Sequence, residues 1–201
     1  MTEQEILALA ASKKEDKTRQ YSTNNLVSQG RNISIIGYTG GGGYGLSSKE
    51  REGLQWAVNN YNRLGLSIRF ILTFGTNYNS KDMVVYHNPN NGGSGGQAGF
   101  PSGGRPYKWI QIYGLQNYST NVNEYVITHE IGHAIGFRHT DWFSRQSCGQ
   151  NSNEGSAGVG ANHIAGTPTG YDATSIMVAC FSTSADGEFN SNDVNALERL
   201  Y

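Results

Sequence analysis

Hydrophobic and polar residues alternate along residues 66–74 with a period of two. The apolar positions of this segment are Leu66, Ile68, Phe70, Leu72 and Phe74. Because successive side chains of a strand point to opposite faces, the pattern predicts a strand with one apolar face. Runs rich in β-branched and aromatic residues predict three further strands, over residues 32–38, 83–86 and 109–113.

Three other segments follow the helical period of 3.6 residues. The first begins at a capping box of Ser47 and Glu50 and ends at Gly65. Its apolar face consists of Leu54, Ala57, Val58, Tyr61 and Leu64. A second helix is predicted over residues 122–136 and a short third one over residues 191–201. The buried side of the third helix is expected to carry Val194, Leu197, Leu200 and Tyr201.

Composition and charge narrow the classes of function. The chain has 201 residues, 27 of them glycine, and a net charge of −1 with a pI of about 6.5. Since no cluster of Lys and Arg forms a basic surface, there is no electrostatic case for nucleic acid. The longest apolar run, residues 6–11, is too short to span a bilayer, so we expect no membrane partner either. The length suits one domain, and we expect a monomer.

Residues 129–139 read HEIGHAIGFRH and carry the candidate chemistry. His129 and His133 lie one helical turn apart, so both imidazoles point from one face toward a common metal ion. Glu130 lies at the edge of that face, where its carboxylate can reach a metal-bound water without being a ligand. The segment therefore predicts a zinc site with a general base beside it.

His139 can join this site only if the helix ends before it. Along a continuous helix it would lie about 15 Å from His129, which bonds of about 2.1 Å cannot bridge. Gly136 adopts a left-handed conformation without steric cost, so we expect the chain to turn there. A single histidine on a helix is usually a hydrogen-bonded core residue, but the added glycine and third histidine favour the metal site.

HEIGHAIGFRH matches H-E-x-x-H-x-x-G-x-x-H and so resembles the metzincin zinc peptidases. It is most similar to the astacin-like side of that clan, and to the bacterial HEIGH-type metallopeptidases in particular. The family also has a tight turn with a methionine beneath the metal, and Ser175-Ile176-Met177 fits it. The C-terminal segment 191–201 resembles the helix that closes metzincin catalytic domains.

The resemblance covers residues 31–201 and implies an α+β, metzincin-like zincin fold. The implied fold has a small, twisted, mixed β-sheet with a backing helix and an active-site helix. A loop-rich C-terminal subdomain that ends in a helix would complete it. The upper subdomain would span residues 31–136 and the lower one residues 137–201, including residues 140–176, which lack regular pattern.

The resemblance also implies a zinc-dependent endopeptidase acting on protein or peptide substrates. One catalytic Zn²⁺ would be held by His129, His133 and His139. Glu130 would be the general base for a zinc-bound water, and Met177 would support the site from below. Calcium in the Asn- and Gly-rich loops has no ligand spacing to support it.

This chain departs from the astacin-like pattern at two positions near the site. Thr140 replaces the glutamate that usually follows the third histidine, and Ala179 replaces the tyrosine two residues after the methionine. That tyrosine is thought to help stabilise the oxyanion. Tyr171 is a candidate substitute, although a tyrosine that is simply packed or on the surface is the more frequent case.

Substrate is expected to bind beside the loop around Ala98 and Gly99. On sequence alone, residues 88–101 are equally consistent with a plain glycine-rich loop. In metzincins the equivalent stretch is an edge strand above the metal, and substrate pairs with it as an added strand. The resemblance therefore favours a substrate-binding rim.

Cys148 and Cys180 are the two cysteines of the chain. A disulfide between them would close a loop of about 33 residues and stabilise the fold by roughly 3 to 4 kcal/mol. Two reduced, buried thiols are the alternative expected in a cytosolic protein. We favour the disulfide and a secreted or otherwise extracytoplasmic protein, whose signal peptide is not part of this sequence.

Two further hypotheses remain for the function. The domain could be a zinc-stabilised module that binds protein or glycan without catalysis. It could also be a latent zymogen form, with residues 1–30 as a candidate pro-segment and Asp16 or a neighbouring glutamate as the group that reaches the zinc. Charged residues at a chain end are usually just solvated, which is the simpler interpretation of that segment.

Overall fold

The computed structural model describes residues 20–167 and 170–201, which contain the following elements. The strands are β1 (Tyr21–Ser22), β2 (Asn32–Tyr38), β3 (Arg69–Gly75), β4 (Met83–His87), β5 (Gly95–Gln97), β6 (Trp109–Tyr113), β7 (Phe137–Arg138) and β8 (Asn162–His163). The α-helices are α1 (Ser48–Asn62), α2 (Thr120–Ile135) and α3 (Ser191–Leu200).

The larger sheet has five strands in the order β3-β2-β4-β6-β5. The first four are parallel, and β5 runs antiparallel to β6 at one edge. The predicted strands 32–38 and 109–113 are confirmed, and the one predicted over 83–86 continues to His87. The sheet is therefore mixed, as expected.

The other edge strand, β3, differs from its prediction. It begins at Arg69 rather than Leu66, and its apolar face is not buried throughout. Ile68 and Phe70 are each 3% exposed, whereas Phe74 is 42% exposed. Phe74 lies over Gly37, where an added Cβ would be 2.6 Å from its ring. An edge strand has a neighbour on one side only, so the end of β3 stays accessible to solvent.

Helices α1 and α2 pack side by side against one face of this sheet. The predicted capping box is present, since Ser47 Oγ accepts from Glu50 N and Glu50 Oε2 accepts from Ser47 N at 2.7 Å. The two helices approach closely at Gly53, where an added Cβ would lie 2.8 Å from Glu124 N. Nearly every residue of α2 is buried, so it is a core helix rather than an amphipathic surface helix.

A second sheet of three short antiparallel strands, in the order β7-β1-β8, was not predicted. Tyr21 pairs with Arg138 on one side and with His163 on the other. Gln20, Tyr21 and Val27 are buried and pack into the interior, whereas residues 28–30 are exposed. Asp16, the candidate inhibitory residue, lies outside the described residues.

The C-terminal part is loop-rich and is closed by α3. Cys148 and Cys180 form the expected disulfide, with an S–S distance of 2.08 Å. Helix α3 is capped by Asn190, whose side chain accepts from the backbone of Asn192 and Asp193. Its buried side differs from the prediction: Val194 and Leu200 are only half-buried. Leu197 and Tyr201 are buried as predicted, and Asp193 and Ala196 are buried in addition.

None of the helices within residues 20–167 and 170–201 is long and apolar enough to cross a membrane.

Candidate metal centre and active site

Three imidazole nitrogens meet at the end of α2. His129 and His133 project from consecutive turns of the helix, and His139 follows β7 after the chain has turned. The Nε2 atom of His139 lies 3.0 Å from that of His133 and 3.2 Å from that of His129. Three nitrogens around a zinc ion with bonds of about 2.1 Å are separated by about 3.4 Å in tetrahedral geometry. The cluster thus has nearly the dimensions of a zinc site.

The turn that brings His139 back occurs at Gly136, as predicted. Gly136 has φ 122° and ψ 11° and caps the helix. Its carbonyl accepts from Thr23 N at 2.8 Å, and an added Cβ would lie 2.7 Å from Leu26 Cδ2. The hinge is therefore held by the N-terminal segment, which the sequence did not indicate.

Each histidine has its other ring nitrogen engaged. The Nδ1 atoms lie 2.8 Å from a carbonyl or carboxylate oxygen, belonging to Ile176, Phe137 and Glu154 for His129, His133 and His139 respectively. Only a protonated Nδ1 can donate to these oxygens, so each Nε2 is left as a lone-pair donor. Unprotonated nitrogens about 3 Å apart repel one another unless a cation lies between them. The three histidines therefore fit a metal ion that, like Zn²⁺, binds imidazole nitrogens.

Burial keeps the first two imidazoles neutral. It lowers the pKa of His129 to about 3, with a further contribution from His139. It likewise holds the pKa of His133 well below the usual value, helped by His129 and His139. Neutral imidazole is the form that binds metal, so these side chains need not lose a proton at neutral pH.

Glu130 lies beside this cluster and is also buried. Desolvation raises the pKa of its carboxyl to about 8, and a hydrogen bond from the Ala98 backbone partly offsets this. Its Oε2 atom has no hydrogen-bond partner within residues 20–167 and 170–201. A nearby divalent cation would favour the ionised form, because an opposite charge lowers a carboxyl pKa.

Two glycines allow the close packing of this site. An added Cβ at Gly96 in β5 would lie 2.6 Å from Glu130 Cγ, so a side chain there would displace Glu130. An added Cβ at Gly132 would lie 2.6 Å from Met177 Sδ. Met177 is 2% exposed and packs directly against α2.

The turn that carries Met177 is held by Asp193 of α3. One carboxylate oxygen accepts from Gln20 Nε2 at 2.7 Å and from Ser175 Oγ at 2.6 Å. The other accepts from Ile176 N at 3.0 Å. Because the Ile176 carbonyl accepts from His129, this buried carboxylate stabilises the backbone that orients the first histidine.

The family assignment agrees with this arrangement. A model of the dual-action HEIGH metallo-peptidase family matches residues 1–201. The chain belongs to this family. A metal ion and protein or peptide substrates are therefore implied for it, and the resemblance to HEIGH-type metallopeptidases is confirmed.

Solved structures support the fold of this HEIGH metallo-peptidase. Two structures of myroilysin are similar to it, with TM-scores of 0.56 and 0.55 at 14% and 13% identity. The first alignment covers 90% of this chain and 98% of myroilysin, and the second covers 89% and 86%. The expected α+β fold is thereby confirmed. A comparison with curated proteins gives no match.

Two cavities of the peptidase meet at the metal centre. Both are lined by Gly96, His129, Glu130 and Ala179. The first has a volume of about 280 Å³ and is walled mainly by Tyr113, Tyr125, Val126, Val178 and Phe181. The second, of about 360 Å³, extends past Phe100 to the charged side chains of Arg138, Arg145 and Glu154. One side of the centre is thus mostly apolar and the other is charged.

The three residues expected to contact the substrate or its oxyanion, which are Ala98, Gly99 and Tyr171, are placed differently. Ala98 follows β5 and lines the charged cavity. Gly99 packs against Tyr107, with an added Cβ only 2.6 Å from the ring. Tyr171 lines a further cavity with Ser147 and is not among the residues that line either cavity at Glu130. Of the three, only Ala98 is brought to the metal centre.

Sequence reasoning missed two residues near the centre. Glu154 lies in a segment without periodicity, and no motif marked it. Tyr113 was identified only as the end of a strand, yet it lines the apolar cavity and its hydroxyl donates to Gly96 O at 3.4 Å. Burial raises the pKa of Tyr113, and the charge of Glu130 adds to this, so the hydroxyl keeps its proton.

Proposed function

We propose that this chain is a zinc-dependent endopeptidase of the metzincin type in which Glu130 is the general base. The observation that carries the proposal is the meeting of three imidazole Nε2 atoms beside a buried Glu130 oxygen that has no partner among the described residues. Three nitrogen ligands with a further position free for water or substrate are typical of catalytic zinc. Zn²⁺, when bound, would act as a Lewis acid toward the peptide carbonyl and lower the pKa of water.

In this mechanism Glu130 moves the proton. Its free oxygen accepts a proton from the attacking water and then delivers it to the nitrogen of the leaving amine. Gly96 and the Ala98 backbone fix the carboxylate, so it is in place before substrate arrives. Burial favours this role, because a carboxylate in a poorly solvated site is a stronger base than one in water.

Cleavage within a chain, rather than at its end, is supported by the two cavities. Both contain Glu130, and they extend from it past different residues, toward Phe181 in one case and Arg145 in the other. A substrate strand can pair with the edge strand β5 and have room on both sides of the reacting bond. The apolar cavity suits a bulky hydrophobic side chain next to that bond.

The proposed location is extracytoplasmic. The disulfide between Cys148 and Cys180 supports it, because such bonds persist mainly in oxidising compartments. Residues 31–136 and 137–201 are proposed as the upper and lower subdomains, with residues 20–30 joined to the lower one through β1.

The test compares wild-type protein with Glu130→Gln, which keeps the volume of the side chain and removes its basicity. We expect both proteins to hold about one zinc ion and the variant to lose casein cleavage by a factor of about 10² to 10⁴. Zinc is measured by elemental analysis and cleavage with and without a chelator. Full activity of the variant would refute the role of Glu130. A wild-type protein that holds zinc but cleaves nothing would favour the binding module instead.

A further inference from the structure

The third histidine of the cluster is oriented differently from the other two. The Nδ1 atoms of His129 and His133 bind backbone carbonyls, which are fixed by the elements around them. The Nδ1 atom of His139 instead lies 2.8 Å from Oε1 of Glu154, a side chain in a loop without regular structure. His139 follows the hinge and is the most exposed of the three rings, so its orientation depends most on this partner.

We infer that Glu154 is a positioning residue that holds His139 in the tautomer and orientation needed to bind the metal. The inference rests on the proposed function and adds to it a carboxylate that acts through a ligand rather than on the substrate. A carboxylate that accepts from a metal-binding histidine fixes the ring and makes its other nitrogen a better ligand.

Two arginines hold Glu154 in place. Arg145 Nη1 lies 2.6 Å from the same Oε1 that binds His139, and Arg138 Nη2 lies 3.5 Å from Oε2. Arg138 is itself immobilised, because its guanidinium donates to the carbonyls of Ser156, Gly160 and Gly155. Both Glu154 oxygens therefore face cations of defined position, and the carboxylate cannot easily rotate away from His139.

The charge of Glu154 is maintained by the same contacts. The guanidinium groups of Arg145 and Arg138 face its two oxygens, and an opposite charge nearby favours the ionised form of a carboxyl. An ionised carboxylate binds an N–H more strongly than a neutral acceptor does.

The loop that presents Glu154 is tied to the rest of the site. The backbone N–H of Glu154 donates to Trp142 O at 2.8 Å. The backbone N–H and the hydroxyl of Ser147 both donate to the Asp141 carboxylate, at 2.9 and 2.6 Å. The adjacent Cys148 is bonded to Cys180, just beyond the methionine turn. These contacts therefore hold the loop in a conformation that places Glu154 beside His139.

The experiment uses the full chain with Glu154→Ala, Glu154→Gln and, as a matched control, the exposed Glu198→Gln. Zinc affinity is measured by competition with a chromophoric chelator. We expect the alanine variant to lose about 10- to 100-fold in zinc affinity, as is typical when the partner of a ligand is removed. Glu154→Gln keeps an acceptor without the charge and should lose less. Glu198→Gln should equal wild type.

A structural role is separated from positioning by thermal unfolding with zinc and with excess chelator. Positioning predicts that the increase in Tm due to zinc shrinks while the Tm in chelator changes little, because only the metal-bound state is weakened. An equal loss of Tm in both conditions would overturn the inference, as would an unchanged zinc affinity in both Glu154 variants. The glutamine variant keeps the test valid should the alanine variant fold poorly.

The same measurements distinguish this inference from the proposed function. Wild-type protein that binds zinc but cleaves no casein contradicts the endopeptidase, while a ranking of zinc affinity from wild type to glutamine to alanine still supports positioning by Glu154. Normal cleavage by wild type together with equal zinc affinities in all variants would support the endopeptidase and contradict positioning by Glu154.

Discussion

At the scale of single residues, the site depends on glycines whose neighbours come from distant segments. Gly136 supplies the turn, Gly132 admits Met177, and Gly96 admits Glu130. The requirement at Gly136 follows from the spacing of the histidines, so the sequence predicted it. The requirements at the other two follow from contacts 45 and 34 residues away along the chain, between 132 and 177 and between 96 and 130. The local pattern of hydrophobic and polar residues cannot reveal contacts between segments that are so far apart along the chain.

Gly136→Ala tests the hinge. Its φ of +122° is unfavourable for alanine, and the new Cβ would lie 2.7 Å from Leu26 Cδ2. We expect strain and overpacking to lower the free energy of unfolding by about 3 kcal/mol, and zinc affinity to fall because His139 is displaced. The control is Gly65→Ala, where φ is +67° and no atom lies within 4 Å of the new Cβ.

The control should lose only about 1 to 2 kcal/mol, from backbone strain alone, and keep its zinc affinity. Urea unfolding and chelator competition measure the two quantities. If Gly136→Ala and Gly65→Ala changed the free energy of unfolding and the zinc affinity equally, Gly136 would be only a residue with positive φ and not the determinant of the metal site.

At the scale of elements, α3 supports α2 through the methionine turn. Asp193 in α3 binds the backbone of Ile176, whose carbonyl orients His129 in α2. The period of α3 predicted an apolar buried face and missed this carboxylate, because a buried charge is stable only where its partners are supplied. The backbone N–H of Asn190 is a local partner from the helix cap, but Gln20, Ser175 and the N–H of Ile176 are brought to Asp193 only by the tertiary fold.

The pH dependence of stability tests this contact. Burial raises the pKa of Asp193 to about 6 in the folded state, although its hydrogen bonds oppose the rise. The folded protein therefore binds more protons than the unfolded one between pH 4 and 6. The stability that Asp193 contributes is fully present below pH 4 and is lost as the pH rises through 6, by about 3 kcal/mol in all.

The measurement is urea unfolding of metal-stripped wild type and Asp193→Asn from pH 4 to 7. The stability of wild type relative to the variant should fall with rising pH. Asp82→Asn is the control, because the hydrogen bonds from Ser34 and Arg31 and the charge of Arg31 outweigh burial and lower the pKa of Asp82. The stability that Asp82 contributes is fully present above its unfolded pKa and is lost only as the pH falls below that value, so the control difference should stay nearly flat from pH 4 to 7. A flat difference for Asp193→Asn would contradict the assigned pKa direction.

At the scale of the whole molecule, the centre is closed by segments from both ends of the described chain. Residues 20–30 hold the hinge and pair with β7, and α3 holds the methionine turn. The disulfide joins the loop after His139 to the segment after Met177. The metal centre is thus a point where four distant parts of the sequence meet.

Removing the disulfide tests how far this closure stabilises the molecule. The double substitution of Cys148 and Cys180 by alanine opens a link between residues 32 apart in sequence. We expect a loss of about 3 to 4 kcal/mol in the free energy of unfolding. A phosphine reductant should lower the urea midpoint of wild type toward that of the double variant and leave the variant unchanged. A wild-type midpoint that is insensitive to complete reduction would be inconsistent with this contribution.

The sequence by itself determined the features that depend on local spacing. One helical turn fixes the relation of His129 to His133, and the distance to His139 demands a turn that Gly136 provides. Runs of β-branched and aromatic residues located β2 and β6, and the capping box located α1, since these signals lie within a few residues of one another. The HEIGH motif determined the family, because the residues that define the family lie close together in one short segment of the sequence.

Only the tertiary structure decided which partners surround that motif. Glu154 beside His139, Asp193 beneath Ile176, and the strand at Tyr21 depend on contacts between segments that share no periodicity. The exposure of Phe74 and the distance of Tyr171 from the metal centre have the same origin. Buried polar groups and close packing are satisfied by whatever the fold brings near, and the order of residues along the chain does not record that proximity.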